Sequence, residues 1–176
     1  MRRALWLTEV QMFGNTRDPL DRIIESAEIT RADVARLDIN AAYLYWDALR
    51  QDAVGPPQSA FKLDALPPRL VPCLAVIDFV GPPLDYYYRF FGSSMVEAAG
   101  KELTGKTYYK DKVQGYGFVN ARLFPVLIEQ RQPLFHRTIW ESVKRVRLQT
   151  TSLRLPLSND GVTVTGAVTA NDYKFV

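Results

Sequence analysis

Residues 70–91 read LVPCLAVIDFVGPPLDYYYRFF, and the reading of this stretch decides the fold. From Leu70 to Val80, apolar residues fill both alternating positions, with Asp78 the single charge. Successive side chains of a strand point to opposite faces, so this pattern predicts a strand buried on both sides. Gly81-Pro82-Pro83 breaks the run. Asp85 to Phe91 then supplies aromatic residues that favour strands. Two such runs joined by a short Gly/Pro turn predict a β-hairpin.

Downstream, the period changes. Gly92, Gly100, Gly105, Gly115 and Gly117 separate short helix-like pieces. Ser94 to Ala99 predicts a turn or two of helix, and Phe118 to Gln130 a longer one, which Pro125 is expected to kink or delay. The spacing of these glycines matches no phosphate-binding loop, so they read as turn residues. Three strands follow, at Pro133–Val143, Val146–Leu157 and Val162–Asp172. Asp160-Gly161 signals a hairpin turn between the last two. Gly166, inside the last strand, predicts a bulge or a close packing point.

Upstream, Ala42, Tyr45, Trp46 and Leu49 recur at helical spacing and predict a helix from Asn40 to Gln51, with Asn40 as its N-cap and Gly55-Pro56-Pro57 as its stop. Residues 1–39 are irregular. Asp18-Pro19 is placed to start a short helix carrying Leu20, Ile23, Ile24 and Ala27. The expected fold is α+β: five antiparallel strands, with helices between strands two and three. Residues 1–39 form an N-terminal helical cap, and residues 40–176 one globular unit.

Composition agrees with one domain. The chain has 176 residues, 47% hydrophobic, 23% charged and 12% aromatic. A lone Cys73 excludes an internal disulfide and a thiolate zinc site. A lone His136 excludes multi-histidine metal centres and leaves itself as the only base for a Ser-His-Asp triad. No apolar run reaches the ~18 residues of a membrane span. Glu9 and Gln11 interrupt the N-terminus too soon for a signal peptide, so a cytoplasmic protein without membrane attachment is expected.

The net charge of +3 is uneven. Residues 1–100 carry 10 basic and 13 acidic side chains, and residues 101–176 carry 12 and 6. Arg137, Lys144, Arg145, Arg147 and Arg154 are the basic run of the second part. No DNA- or RNA-recognition motif accompanies them, so they read as the solvated face of a hairpin, and nucleic acid is not an expected partner.

The order of elements, with four local sequences, resembles a PAS domain, in particular the short bacterial proteins made of little more than one. The sequences are Tyr45-Trp46-Asp47-Ala48-Leu49-Arg50, followed by Leu66-Pro67; Tyr88-Arg89-Phe90-Phe91-Gly92-Ser93; Gly100-Lys101-Glu102-Leu103-Thr104-Gly105; and Leu155 to Gly161. Together they span about residues 41–168. The resemblance implies a five-stranded sheet bent round a small cavity under the intervening helices, with its outer face covered. It implies sensing or docking: a small-molecule ligand, a signalling-protein partner, or a homodimer formed through the N-terminal region. A haem-binding version needs a His on the helix before strand three, and a flavin-photoadduct version needs a Cys in the helical segment. His136 and Cys73 both fall in expected strands, so haem and flavin are disfavoured and no cofactor is expected.

The candidate pocket residues are Tyr88, Arg89, Phe90, Met95, Tyr108, Phe118, Leu123, His136 and Trp140. The aromatic and apolar ones either line a cavity or fill the core. Arg89 either pairs with a ligand carboxylate, which its guanidinium fits bidentately, or pairs with an acidic neighbour at the sheet edge. His136 is either a hydrogen-bonded strand histidine or a ligand-contacting one. No catalytic constellation is evident, so an enzyme is not expected. The alternatives are a cavity-type hydratase or isomerase, requiring Asp78, His136 and Arg89 to converge, and a ligand-free interaction module.

Overall fold

The computed structural model describes residues 22–81, 84–108, 117–141 and 146–176. The fold is α+β: a seven-stranded, open, antiparallel sheet with four α-helices among the described residues. The strands are β1 (Arg22–Glu28), β2 (Leu74–Val80), β3 (Asp85–Phe91), β4 (Lys106–Tyr108), β5 (Leu134–Glu141), β6 (Arg147–Leu157) and β7 (Gly166–Phe175). The helices are α1 (Arg31–Val34), α2 (Asn40–Arg50), α3 (Ser93–Ala99) and α4 (Gly117–Gln130). The sheet order is β1-β5-β6-β7-β2-β3-β4. Among the described residues, no helix is long and apolar enough to cross a membrane.

The decisive stretch forms the expected hairpin, but its first strand starts at Leu74 rather than Leu70, because Val71–Cys73, with Pro72, make a 3-10 turn, so Cys73 is not in the strand. Leu74 to Ile77 are all buried. Leu74 and Val76 join one apolar cluster, and Ala75 and Ile77 join another, on the opposite face. The first cluster lies under α2 and the loops after it, around Trp46, Phe61, Leu66 and Leu70. The second lies under α3 and α4, around Met95, Phe124 and Leu127. A single sheet thus carries two cores, and burial of both apolar faces drives the packing.

Trp46 fixes the first layer. It is fully buried, and its Nε1 donates to the Pro156 carbonyl oxygen at 2.7 Å. Helix α2 is thereby bonded directly to β6. Gly166 is a close packing point: a Cβ there would lie 2.5 Å from the Ile77 carbonyl oxygen, at the contact of β7 with β2. Gly100 ends α3 with φ +68°, the left-handed geometry that only glycine adopts at no cost.

Five expectations need correction. The sheet has seven strands, not five, because β1 and β4 add to its two ends. The helix expected around Ile23, Ile24 and Ala27 is strand β1: Ile23 and Ala27 pair antiparallel with β5, Ile24 is bulged between them, and that tertiary pairing overrides their helical spacing. The described part of the N-terminal cap is therefore a strand and a four-residue helix rather than a helical cap. Asp18-Pro19 and Leu20 lie outside the described residues. Asn40 is the first residue of α2 rather than its cap, and Ile39 holds the cap position. The last strand begins at Gly166 instead of Val162. The loop before it is built on Asp160, whose carboxylate accepts from the backbone N–H groups of Thr163 (2.7 Å) and Val162 (2.9 Å) and from Ser158 Oγ (2.9 Å). Those bonds hold the Asp160 carboxyl well below the usual carboxylate range. They build a longer loop, residues 158–165, where a hairpin turn signalled by Asp160-Gly161 was expected.

Helix α4 runs through Pro125 from Gly117 to Gln130. Cys73 lies in a 3-10 turn, Val71–Cys73, immediately before β2. Burial pushes its thiol up, away from reactivity.

Candidate functional site

Strand alternation sorts the polar residues of the sheet by face. In β6, Leu153, Leu155 and Leu157 point into the α2 core. Ser152 and Arg154 must then point the other way, under α4. In β5, Leu134, His136, Thr138 and Trp140 are buried in alternation with half-buried neighbours, and Leu134 belongs to the α4-side core. The same face therefore carries His136, Thr138 and Trp140.

Arg154 is the centre of this polar patch. It is 1% exposed. Its Nε and Nη2 both donate to Asn120 Oδ1 of α4, at 3.2 and 2.8 Å. Its Nη1 donates to Ser152 Oγ at 2.8 Å. Ser152 Oγ in turn donates to the His136 carbonyl at 3.3 Å. The Asn120 side chain also acts on Tyr88 of β3, whose phenol it holds lower than burial alone would. On the far side, His136 Nε2 and Ser26 Oγ share a bond of 2.6 Å. A continuous row of polar groups thus crosses the sheet beneath α4: Tyr88, Asn120, Arg154, Ser152, His136, Ser26.

The electrostatics of the row follow from burial. Burial, with help from the Arg154 charge, pushes the His136 imidazole down to about 3, so it is neutral at pH 7. Burial raises the Tyr88 phenol, against the lowering effect of Asn120. Tyr86, beside it in the core, is pushed up to about 12 by burial and by Asp85. The row therefore holds one fixed positive charge, on Arg154. Among the described residues, no carboxylate forms an ion pair with it. Three further buried atoms on this face, the Tyr86 hydroxyl, Thr138 Oγ1 and Asn171 Oδ1, have no hydrogen-bond partner. Buried polar groups in native proteins are nearly always satisfied, so these atoms call for water or a bound molecule.

Of the candidate residues, Tyr88, Met95, Tyr108, Leu123, His136 and Trp140 lie on this face. Tyr88, Met95 and Trp140 are buried; Tyr108 and Leu123 are half-buried against the same core. Trp140 Nε1 donates to Thr150 Oγ1 at 2.8 Å. Phe90 is placed differently, on the α2 side, because a bulge at Arg89 shifts the pairing of β3 with β2. Arg89 is exposed on β3: its Nε donates to Asp78 Oδ2 at 2.7 Å, and the pair lines a surface cleft of about 210 Å³ with Gln58 and Asn159. The Phe118 side chain lies outside the described residues. Asp78 and Arg89 face the α2 side, whereas His136 is buried under α4, so the three do not converge.

Arg154 and Asn120 were not among the candidates. Arg154 reads in the sequence as part of a basic surface run. The structure disperses that run: Arg137 faces Asp33 at 4.0 Å, Arg147 pairs with Glu141 at 3.3 Å, and Arg154 is buried. Lys144 and Arg145 lie outside the described residues. The alternation of Leu153, Leu155 and Leu157 gives the face on which Arg154 lies, but not the cover of α4 that buries it.

Among the described residues, no group of three or more His, Cys, Asp or Glu side chains is placed to hold a metal ion. No family model matches the chain, and no curated protein or solved structure matches it.

Proposed function

We propose that the chain is a PAS-type sensory module that binds a small molecule between its sheet and α4 and signals to a separate protein or a second copy of itself. The observation that carries this reading is the buried polar row centred on Arg154. A charged group taken out of water costs several kcal/mol. A surface domain needing only stability would fill this position with an apolar side chain. Perturbed and unmatched buried groups cluster where proteins bind ligands.

The arrangement of elements supports the same reading. Strands β2, β3, β5, β6 and β7 lie side by side and antiparallel. Helices α3 and α4 fall between β3 and β5 in the chain and cover the face that holds the row. The other face is covered by the layer of α2. Binding beneath α4 would favour one position of that helix, and the change would pass to whatever docks on the outside. In that role, a partner or second copy meets the N-terminal layer, where Ile24 and Leu44 are exposed large apolar side chains. No cofactor is part of the proposal, and the cytoplasm is the proposed compartment.

Native mass spectrometry of the freshly purified full chain tests the reading. A retained small molecule, released on denaturation and lost from an Arg154→Met variant, is expected. A molecule retained equally by that variant counts against the α4 face as the site.

A further inference from the structure

The Nε and Nη2 atoms of an arginine form one edge of the guanidinium, the edge that grips a carboxylate with two parallel hydrogen bonds. In Arg154 both of these atoms converge on a single oxygen, Asn120 Oδ1. One amide oxygen stands where a carboxylate would place two. Asn120 is neutral, so the edge is occupied but its charge is unbalanced.

Resting on the sensory reading above, we propose that this edge is a carboxylate subsite closed by Asn120, and that a small organic monocarboxylate displaces Asn120 to occupy it. The charge count selects the ligand class. Arg154 is the only buried Lys, Arg, Asp or Glu among the described residues, and His136 beside it stays neutral. One positive charge balances one carboxylate and leaves a phosphate dianion in excess. The surroundings select the rest of the molecule. Tyr88, Met95, Phe124 and Leu134 offer an apolar and aromatic setting on the same face. Unpaired Asn171 Oδ1, opposite Ser152 in the pairing of β7 with β6, gives it a polar group to meet.

The position of Asn120 makes the subsite a switch. Asn120 belongs to α4 and is only half-buried, while the Arg154 beneath it is sealed. A carboxylate that takes the edge breaks the bonds of α4 to β6 through Asn120. Ligand binding is thereby coupled to the helix that covers the site.

Thermal denaturation of the full chain with hexanoate and benzoate, with hexanamide and benzamide, and with inorganic phosphate tests the proposal. Three proteins are compared: wild type, Asn120→Ala and Asn120→Asp. In wild type the carboxylates raise Tm by about 5 °C near saturation, and the amides and phosphate do not. Asn120→Ala opens the edge and responds at tenfold lower carboxylate concentration or less. Asn120→Asp supplies an internal carboxylate, so its Tm starts higher and no longer responds. Equal shifts from the amides or from phosphate overturn the carboxylate assignment. An Asn120→Asp response equal to wild type places the binding elsewhere and overturns it too, as does the lack of any response in both wild type and Asn120→Ala. In each of these cases a molecule retained in native mass spectrometry would leave the sensory reading standing, with a ligand of another class.

Discussion

Arg154 Nη2 donates to Asn120 Oδ1 at 2.8 Å, and this contact ties a buried charge on β6 to the helix that covers it. The charge has no carboxylate partner among the described residues. A group placed for stability and a group placed for a ligand respond differently to removal.

Arg154→Met keeps an unbranched stem of similar bulk, ends it short of the guanidinium, and removes the charge. Replacing buried ionic groups by apolar ones of similar volume is often neutral or stabilising by about 1–4 kcal/mol. Ser152 keeps its bond to His136, and Asn120 Oδ1, which loses both of its donors, sits on a half-buried side chain that water can reach. The ligand-free variant is expected to melt at the wild-type temperature or about 2–4 °C higher. A drop of that size would make Arg154 a structural strut.

His136 makes stability depend on pH. The unfolded imidazole takes a proton near 6.5, and the folded one only near 3. Below pH 6.5 the unfolded state therefore binds more protons, and stability present at neutral pH is lost as pH falls. The expected loss is about 1.4 kcal/mol per pH unit, or about 2 kcal/mol between pH 6.5 and 5. Urea titrations of wild type and His136→Gln measure it: the variant should show little slope across this window.

Trp46→Phe removes the indole N–H that reaches Pro156 and leaves that carbonyl short of a donor in a buried layer. The expected cost is about 1–3 kcal/mol, read as a lower urea midpoint with unchanged slope. A change within ~0.5 kcal/mol would show that the α2 layer does not depend on this bond.

Gly166→Ala tests the contact of β7 with β2. The new methyl would press on the Ile77 carbonyl oxygen, which is backbone and cannot swing aside. Overpacking of this kind costs about 1–3 kcal/mol. An unchanged Tm would mean that the two strands can separate locally without penalty.

Much of the sheet was legible in the sequence. The hairpin at β2 and β3 follows from a two-sided apolar run, a Gly/Pro break and an aromatic run. Helix α2 follows from the spacing of Ala42, Trp46 and Leu49. What sequence reading missed is set by tertiary pairing. Ile23 and Ala27 fit a helical spacing, yet their partners on β5 lie more than a hundred residues away in the chain. The three residues of β4 are too few for any period to show. The site was half legible. Tyr88 and His136 were singled out, but Arg154 was read as a surface charge. A basic residue facing away from a leucine stripe looks solvated until the second covering layer, here α4, is known.

The most direct test of the account reads the Arg154 guanidinium itself. The side-chain Nε–Hε resonance of Arg154, assigned by its loss in Arg154→Met, can be followed by 1H–15N NMR as hexanoate is added. The account predicts that this resonance shifts with saturation, together with the Asn120 side-chain amide, while the Nε–Hε groups of Arg50 and Arg89, paired with Asp47 and Asp78, stay in place. Saturable shifts elsewhere in the protein, with Arg154 and Asn120 unmoved, would contradict it.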